Sequence, residues 1–146
     1  MDKEDHSMRY AELAGRILFS IIFIKSSFGH FSQKTIDFAG HQGLPFASIL
    51  VPLSGVIALI GGLMILCGYR TRIGAGMIVL FLVPVTLMFH NFWAVKDPMQ
   101  AMMQQGNFLK NTSMLGGAFV ISFFGAGPLS IDAILARKAR NRSSEG

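Results

Sequence analysis

The sequence predicts an all-α fold: a four-transmembrane-helix bundle with a short C-terminal interfacial helix. Three observations carry this. Of 146 residues, 51% are hydrophobic and only 14% charged, whereas a water-soluble domain carries about a quarter charged residues. The eight acids are Asp2, Glu4, Asp5, Glu12, Asp37, Asp97, Asp132 and Glu145, so none lies between Phe38 and Lys96. Four apolar runs, at about 11–31, 46–68, 73–93 and 108–124, each suit a hydrocarbon core of about 30 Å at 1.5 Å per residue. Backbone groups without water must bond within their own segment, so the runs are read as helices.

The first run follows a mixed-sign segment, MDKEDHSMRY, and shows no small-residue cleavage site. It reads as a retained span behind a cytoplasmic tail of residues 1–10, not as a signal peptide. Arg16, Ser20, Phe23, Ser27 and His30 recur at three- and four-residue spacing, which makes a polar seam on one helical face. Glu12 sits one turn before Arg16, so an ion pair within the helix explains that arginine structurally. Lys25 falls on the opposite face, where its stem snorkels toward headgroups or serves a ligand.

Between the first two runs, Ser32 to Pro45 has room for a helical turn or two. The second run carries Ser54, Ala58 and Gly62 at four-residue spacing, a small-residue stripe that lets another helix approach. Pro52 and Pro84 each remove a backbone hydrogen bond from the second and third runs. Tyr69-Arg70-Thr71-Arg72 reads as a tight turn between them. Before the fourth run, Asp97-Pro98 starts a short helix that carries a Met99, Met102, Met103 stripe, and Gly106 is expected to stop it. Gly125-Ala126-Gly127-Pro128 breaks the fourth span. Ser130 then caps a short interfacial helix through Ile131, Ile134 and Leu135. The transmembrane domain is thus read as 11–135, with a basic cytoplasmic tail at 136–146 whose last five residues are expected to be disordered.

Lysine and arginine orient the chain. Lys3, Arg9, Arg70, Arg72, Arg137, Lys138, Arg140 and Arg142 fall on one side, and only Lys34 and Lys96 on the other. Eight against two places both termini in the cytoplasm of a multi-pass inner (plasma) membrane protein. The same pattern, basic residues at the ends of apolar runs, argues against nucleic acid as the partner of so basic a chain. The single Cys67 excludes an internal disulfide framework.

Chemistry is sought among polar groups inside the spans, which are costly there. His30 ends the first span, His90 and Asn91 end the third, and Lys110 and Asn111 open the fourth. All fall at similar depth near the outer face. They read either as a shared ligand pocket or as an interfacial belt anchored by Phe92, Trp93 and Phe108. Cations, amides and imidazoles without a carboxylate suit carbonyl or phenolate oxygens, such as a quinone head, or a lipid phosphate. His90 or His30 is the candidate for moving a proton. Haem between these histidines, or Cu(I) on the methionine stripe, is a weaker reading than structural imidazoles and packing methionines, so no metal is predicted. The glycosylation patterns at Asn111 and Asn141 fall in a span and on the inner side, so neither is expected to be used.

Taken in order, these residues resemble the DoxX family of small four-helix membrane proteins. The resemblance runs from Gly15-Arg16 through Gly43-Leu44-Pro45, Gly61-Gly62, Thr71-Arg72 and Phe89-His90-Asn91-Phe92-Trp93. It continues to Phe108-Leu109-Lys110-Asn111 and the stretch from Gly125 to Asp132. It implies membrane redox chemistry, including quinone-linked complexes with redox protein subunits. The family often has Lys where His30 stands and Glu where Ala58 stands. The leading expectation is therefore a quinone-linked or other redox-associated membrane subunit, with His90 and Lys110 on the ligand and Asn91, Asn111 and His30 shaping the site. Glu12, Arg16, Ser20 and Ser27 form the structural seam. A non-catalytic scaffold, as a homo-oligomer or bound to a partner, is the alternative, and a small-molecule transporter is a third.

Overall fold

The computed structural model describes residues 3–144, with side chains from Met8 onward. Six α-helices follow in order: α1 (Lys3–Ser27), α2 (Gln33–His41), α3 (Ala47–Cys67), α4 (Thr71–Phe89), α5 (Pro98–Phe124) and α6 (Ile131–Ser144). Short 3-10 turns lie at Phe28–Phe31 and Phe92–Ala94. The protein is an all-α bundle whose long helices are α1, α3, α4 and α5. α1 packs on α3, α3 on α4 and α4 on α5. α5 returns toward α1 where Phe19 lies over Gly117, a spot that an added Cβ would crowd at 2.9 Å.

Local sequence sets the boundaries. Ser32 caps α2 by accepting from the Thr35 N–H, and Asp97 caps α5 by accepting from the Gln100 N–H at 2.8 Å, with Pro98 in the first turn. α3 ends at Gly68, whose φ of 66° lets the Tyr69 N–H reach back to the Met64 carbonyl at 2.9 Å. Gly125 and Gly127 also take positive φ and turn the chain from α5 into α6.

Two expectations are corrected. Gly106 does not stop a short outer helix, because α5 runs unbroken from Pro98 to Phe124. One glycine costs a helix only about 1 kcal/mol, and no proline or cap follows to end it. The chain's end is not an irregular tail, since α6 is helical through Ser144; Glu145 and Gly146 lie outside the described residues. At the other end α1 begins at Lys3, and Met1 and Asp2 lie outside the described residues.

The core is small and central: Phe23, Ala58, Ile65, Ala75, Ile78, Phe81, Leu82 and Ala118. Around it, large apolar side chains such as Leu18, Leu80, Leu87 and Phe123 are exposed. α3 and the stretch Thr71–Ala94 are long and apolar enough to cross a membrane, yet only 33% of either apolar window is buried inside the bundle. The core helix of a soluble protein would hide that surface. α1 and α5 are less apolar because Glu12, Arg16 and Lys25, and Asn107, Lys110 and Asn111, interrupt them. The small-residue stripe of α3 works inside the chain. Gly62 faces Phe23 and Ile24 of α1, and Gly61 faces Gly74 and Met77 of α4.

Candidate functional site

A cavity of about 480 Å³ lies between α3 and α4, with α2 across one end. Its wall is almost wholly apolar, including Val51, Ile57, Phe81, Pro84 and Val85; the polar side chains in it are His30, Thr35, Ser54 and His90.

His30 arrives there because α1 stops at Ser27 and tightens into the 3-10 turn. That turn lies so close to α3 that a Cβ on Gly55 would stand 2.7 Å from the His30 Cβ; glycine is required by this approach. The His30 ring stands edge-on to Phe81, with centroids 5.5 Å apart. Its Nδ1 is 2.9 Å from the Ser54 Oγ. The Ser54 hydroxyl donates to the Val51 carbonyl at 2.7 Å. Its proton is therefore committed, so the Oγ accepts from His30 Nδ1–H.

His90 closes α4, with its N–H still bonded to the Thr86 carbonyl. Its Nδ1 lies 2.7 Å from Gln104 Oε1 on α5. A carbonyl oxygen can only accept, so His90 also carries its proton on Nδ1. Both imidazoles are thus held in the same tautomer by uncharged partners. In each, Nδ1 is engaged and Nε2 has no hydrogen-bond partner among the described residues.

The structure brings His30 and His90 to one cavity but not the other three predicted ligands. Asn91 begins the 3-10 turn after α4 and makes no side-chain cap there. Lys110 is exposed and donates to Asn107 Oδ1 at 3.2 Å. Asn111 is buried at 5% exposure, yet it does not line the cavity. It shares a helical face with Gln104 but sits two turns along, about 10 Å away. Ser54 and Gln104 were not singled out as ligand-site residues from sequence. Ser54 was visible only as a small residue, and Gln104 was overshadowed by the neighbouring methionines.

The opposite end of the bundle is a structural lock. Arg16 is 4% exposed, and its guanidinium donates to the carbonyls of Ile65, at 3.4 Å, and of Leu129. This corrects the simple Glu12–Arg16 pair. Arg16 ties α1 to the end of α3 and to the turn before α6, while exposed Glu12 sits against Gly127. Ser20 and Ser27 are buried, and their hydroxyls donate to the helix's own carbonyls at Arg16 and Ile24. A second cavity of about 400 Å³ opens beside Arg16, between α1 and the end of α5.

Asp132 completes the lock. Its carboxylate accepts from the N–H groups of Arg70 (2.7 Å) and Thr71 (3.0 Å) and from the Thr71 hydroxyl (3.1 Å). The α6 helix thereby caps α4, whose own N-cap residue, Arg70, offers no side-chain bond. Burial alone would raise the Asp132 carboxyl. The two backbone N–H groups, the Thr71 hydroxyl and the charge of Arg16 outweigh it and hold the group below the usual carboxylate range. Ser130 caps α6 as expected, accepting from the Ala133 N–H at 3.1 Å.

No solved structure matches. Inner membrane protein YqjF of Escherichia coli (strain K12) is 32% identical over 132 residues, which cover 86% of this chain and 92% of that protein. The ER-derived vesicles protein ERV29 of Saccharomyces cerevisiae is 27% identical over 130 residues, covering 89% of this chain but 35% of that protein. The chain spans about a third of ERV29's length. The sequence model of the DoxX family matches residues 11–91, a stretch that runs from within α1 to the end of α4 and includes His30 and His90. The chain is a membrane protein and belongs to the DoxX family.

Proposed function

We propose that this chain is a four-span subunit of the inner membrane that binds a quinone or similar lipid-soluble carbonyl compound and serves a redox system. The observation that carries the reading is the pair of imidazoles in one apolar cavity, each with Nδ1 engaged by a neutral partner. An apolar chamber with few convergent polar groups is what a small lipophilic ligand requires. The bare Nε2 atoms suit the hydroxyls of a quinol. As a quinol loses two electrons to a redox partner, its two hydroxyl protons pass to the two Nε2 atoms; reduction returns them. Eight basic residues on the side of the Arg70 turn and both tails, against two on the other, support cytoplasmic termini and a cavity in the outer half. They also favour an inner-leaflet position for α6, with exposed Ile131, Ile134 and Leu135 beside its basic residues.

The test is purification in mild detergent, with co-extracted small molecules identified by mass spectrometry. A stoichiometric quinone or quinol, lost in His90→Ala, is the expected result. An empty protein, or retention of the ligand when both histidines are replaced by alanine, refutes the assignment. A non-catalytic scaffold, favoured by the small-residue stripe of α3 and by Lys25, is the alternative; Gly62 of that stripe receives α1 within the chain, while Lys25 is exposed.

A further inference from the structure

The cavity has two boundaries of different character. At one end α2 lies across it. Thr35, Phe38 and Ala39 of that helix face the chamber, Ala39 is buried, and the Phe38 ring stands 6.3 Å from Phe89. Gln33 and Asp37 bond each other on the far side of the same helix. This polar-backed helix covers that end in part, since Phe38 is itself 49% exposed.

The long boundary is the seam between α3 and α4. Leu50 and Leu53 on α3, and Leu80 and Met88 on α4, line the chamber and are also 39%, 49%, 64% and 42% exposed. A residue that both lines a cavity and meets the surroundings marks its mouth. These four sit on the two helices apolar enough to cross a membrane, so the medium outside that mouth is hydrocarbon.

We propose that the cavity is loaded sideways from the bilayer, between α3 and α4, by an amphiphile with a long hydrocarbon tail. The head reaches His30 and His90, and the tail stays in the seam over Leu53 and Leu80. This rests on the ligand reading above and adds the route and the tail. Lipid chains are as apolar as leucine, so the tail gains little contact energy in the seam. Its role is to concentrate the ligand in the layer from which the mouth is reached. A water-soluble analogue with the same head must instead pass α2.

The experiment uses the full chain in phospholipid nanodiscs. The probe is a para-benzoquinone with a decyl tail that carries a photoreactive diazirine at mid-chain, and labelled positions are read by mass spectrometry. Label that a tail-less quinone competes away should fall on α3 from Leu50 to Ile57 and on α4 from Leu80 to Met88. Competed label on α1, on α5 or on the polar face of α2 overturns the route while leaving the site intact. No competed label anywhere overturns the ligand reading, and the route with it. In a second arm, Leu53→Trp narrows the mouth at a half-exposed position. Competed labelling should slow about tenfold, equal to ~1.4 kcal/mol of barrier. An unchanged labelling rate overturns the proposal.

Discussion

Replacing Asp132 tests whether the last helix caps the fourth. In Asp132→Ala the N–H groups of Arg70 and Thr71 and the Thr71 hydroxyl lose their shared acceptor. A lost helix cap costs about 0.5–2 kcal/mol. Asp132 is only part-buried, so solvent screening and replacement by water hold the loss to about 1 kcal/mol. Asp132→Asn keeps a carbonyl acceptor and loses only the charge facing the α4 N-terminus, about 0.5 kcal/mol. Thermal unfolding followed by circular dichroism in detergent should show the alanine variant melting lower by about 3 °C. The effect must depend on pH with a definite sign. The carboxyl sits below its ordinary range in the folded protein, so its contribution is full above the ordinary carboxylate value. It is lost as pH falls through the depressed folded value, in the acid range below about 4. The melting points of the wild type and Asp132→Ala should therefore converge on acidification. Equal melting points at neutral pH, or a gap that persists unchanged in strong acid, would refute the capping argument.

Two further predictions concern packing. Arg16→Ala takes the guanidinium away from the part-buried Leu129 carbonyl and from the Ile65 carbonyl, which keeps the Gly68 N–H, a loss of about 1–3 kcal/mol in all, and Arg16→Lys should rescue it only in part, because one ammonium replaces a planar fork; yield and thermal stability in detergent read both. Gly55→Ala should destabilise by about 1–3 kcal/mol and displace His30, since its Cβ would meet His30 at 2.7 Å. Gly116→Ala, which meets nothing within 4 Å, should stabilise by about 0.5–1 kcal/mol; the opposite order of melting points contradicts the α1–α3 geometry.

What sequence could reveal here follows from what periodicity encodes. Ser20 and Ser27 read as an inward face because helical spacing alone puts them there, and both are buried. His30 and His90 were recognisable because an imidazole at the end of an apolar run has few ordinary uses. Lys110 was misplaced for a geometrical reason. The rotation of α5 is set by its start at Pro98 and by packing on α4, which aims Gln104 at His90 and leaves Lys110 exposed. Gly106 misled because a lone glycine weakens a helix without ending it. Asp132 was invisible as a cap because its partners, Arg70 and Thr71, lie some sixty residues away in sequence, and only the close approach of α6 to Gly68 unites them. The Asp132 N–H donates to the Gly68 carbonyl at 2.8 Å.

The unbroken course of α5 has a mechanical consequence. Its 27 residues make a rod of about 40 Å, longer than a hydrocarbon core of about 30 Å. The excess carries Met99, Met102 and Met103 at its exposed end, with Gln104 in the next turn. A rod without a joint at Gly106 turns as one body. The bond from His90 to Gln104 is thereby carried on the same rod that packs along α4, so the imidazole is positioned by the whole helix and not by a separate outer segment.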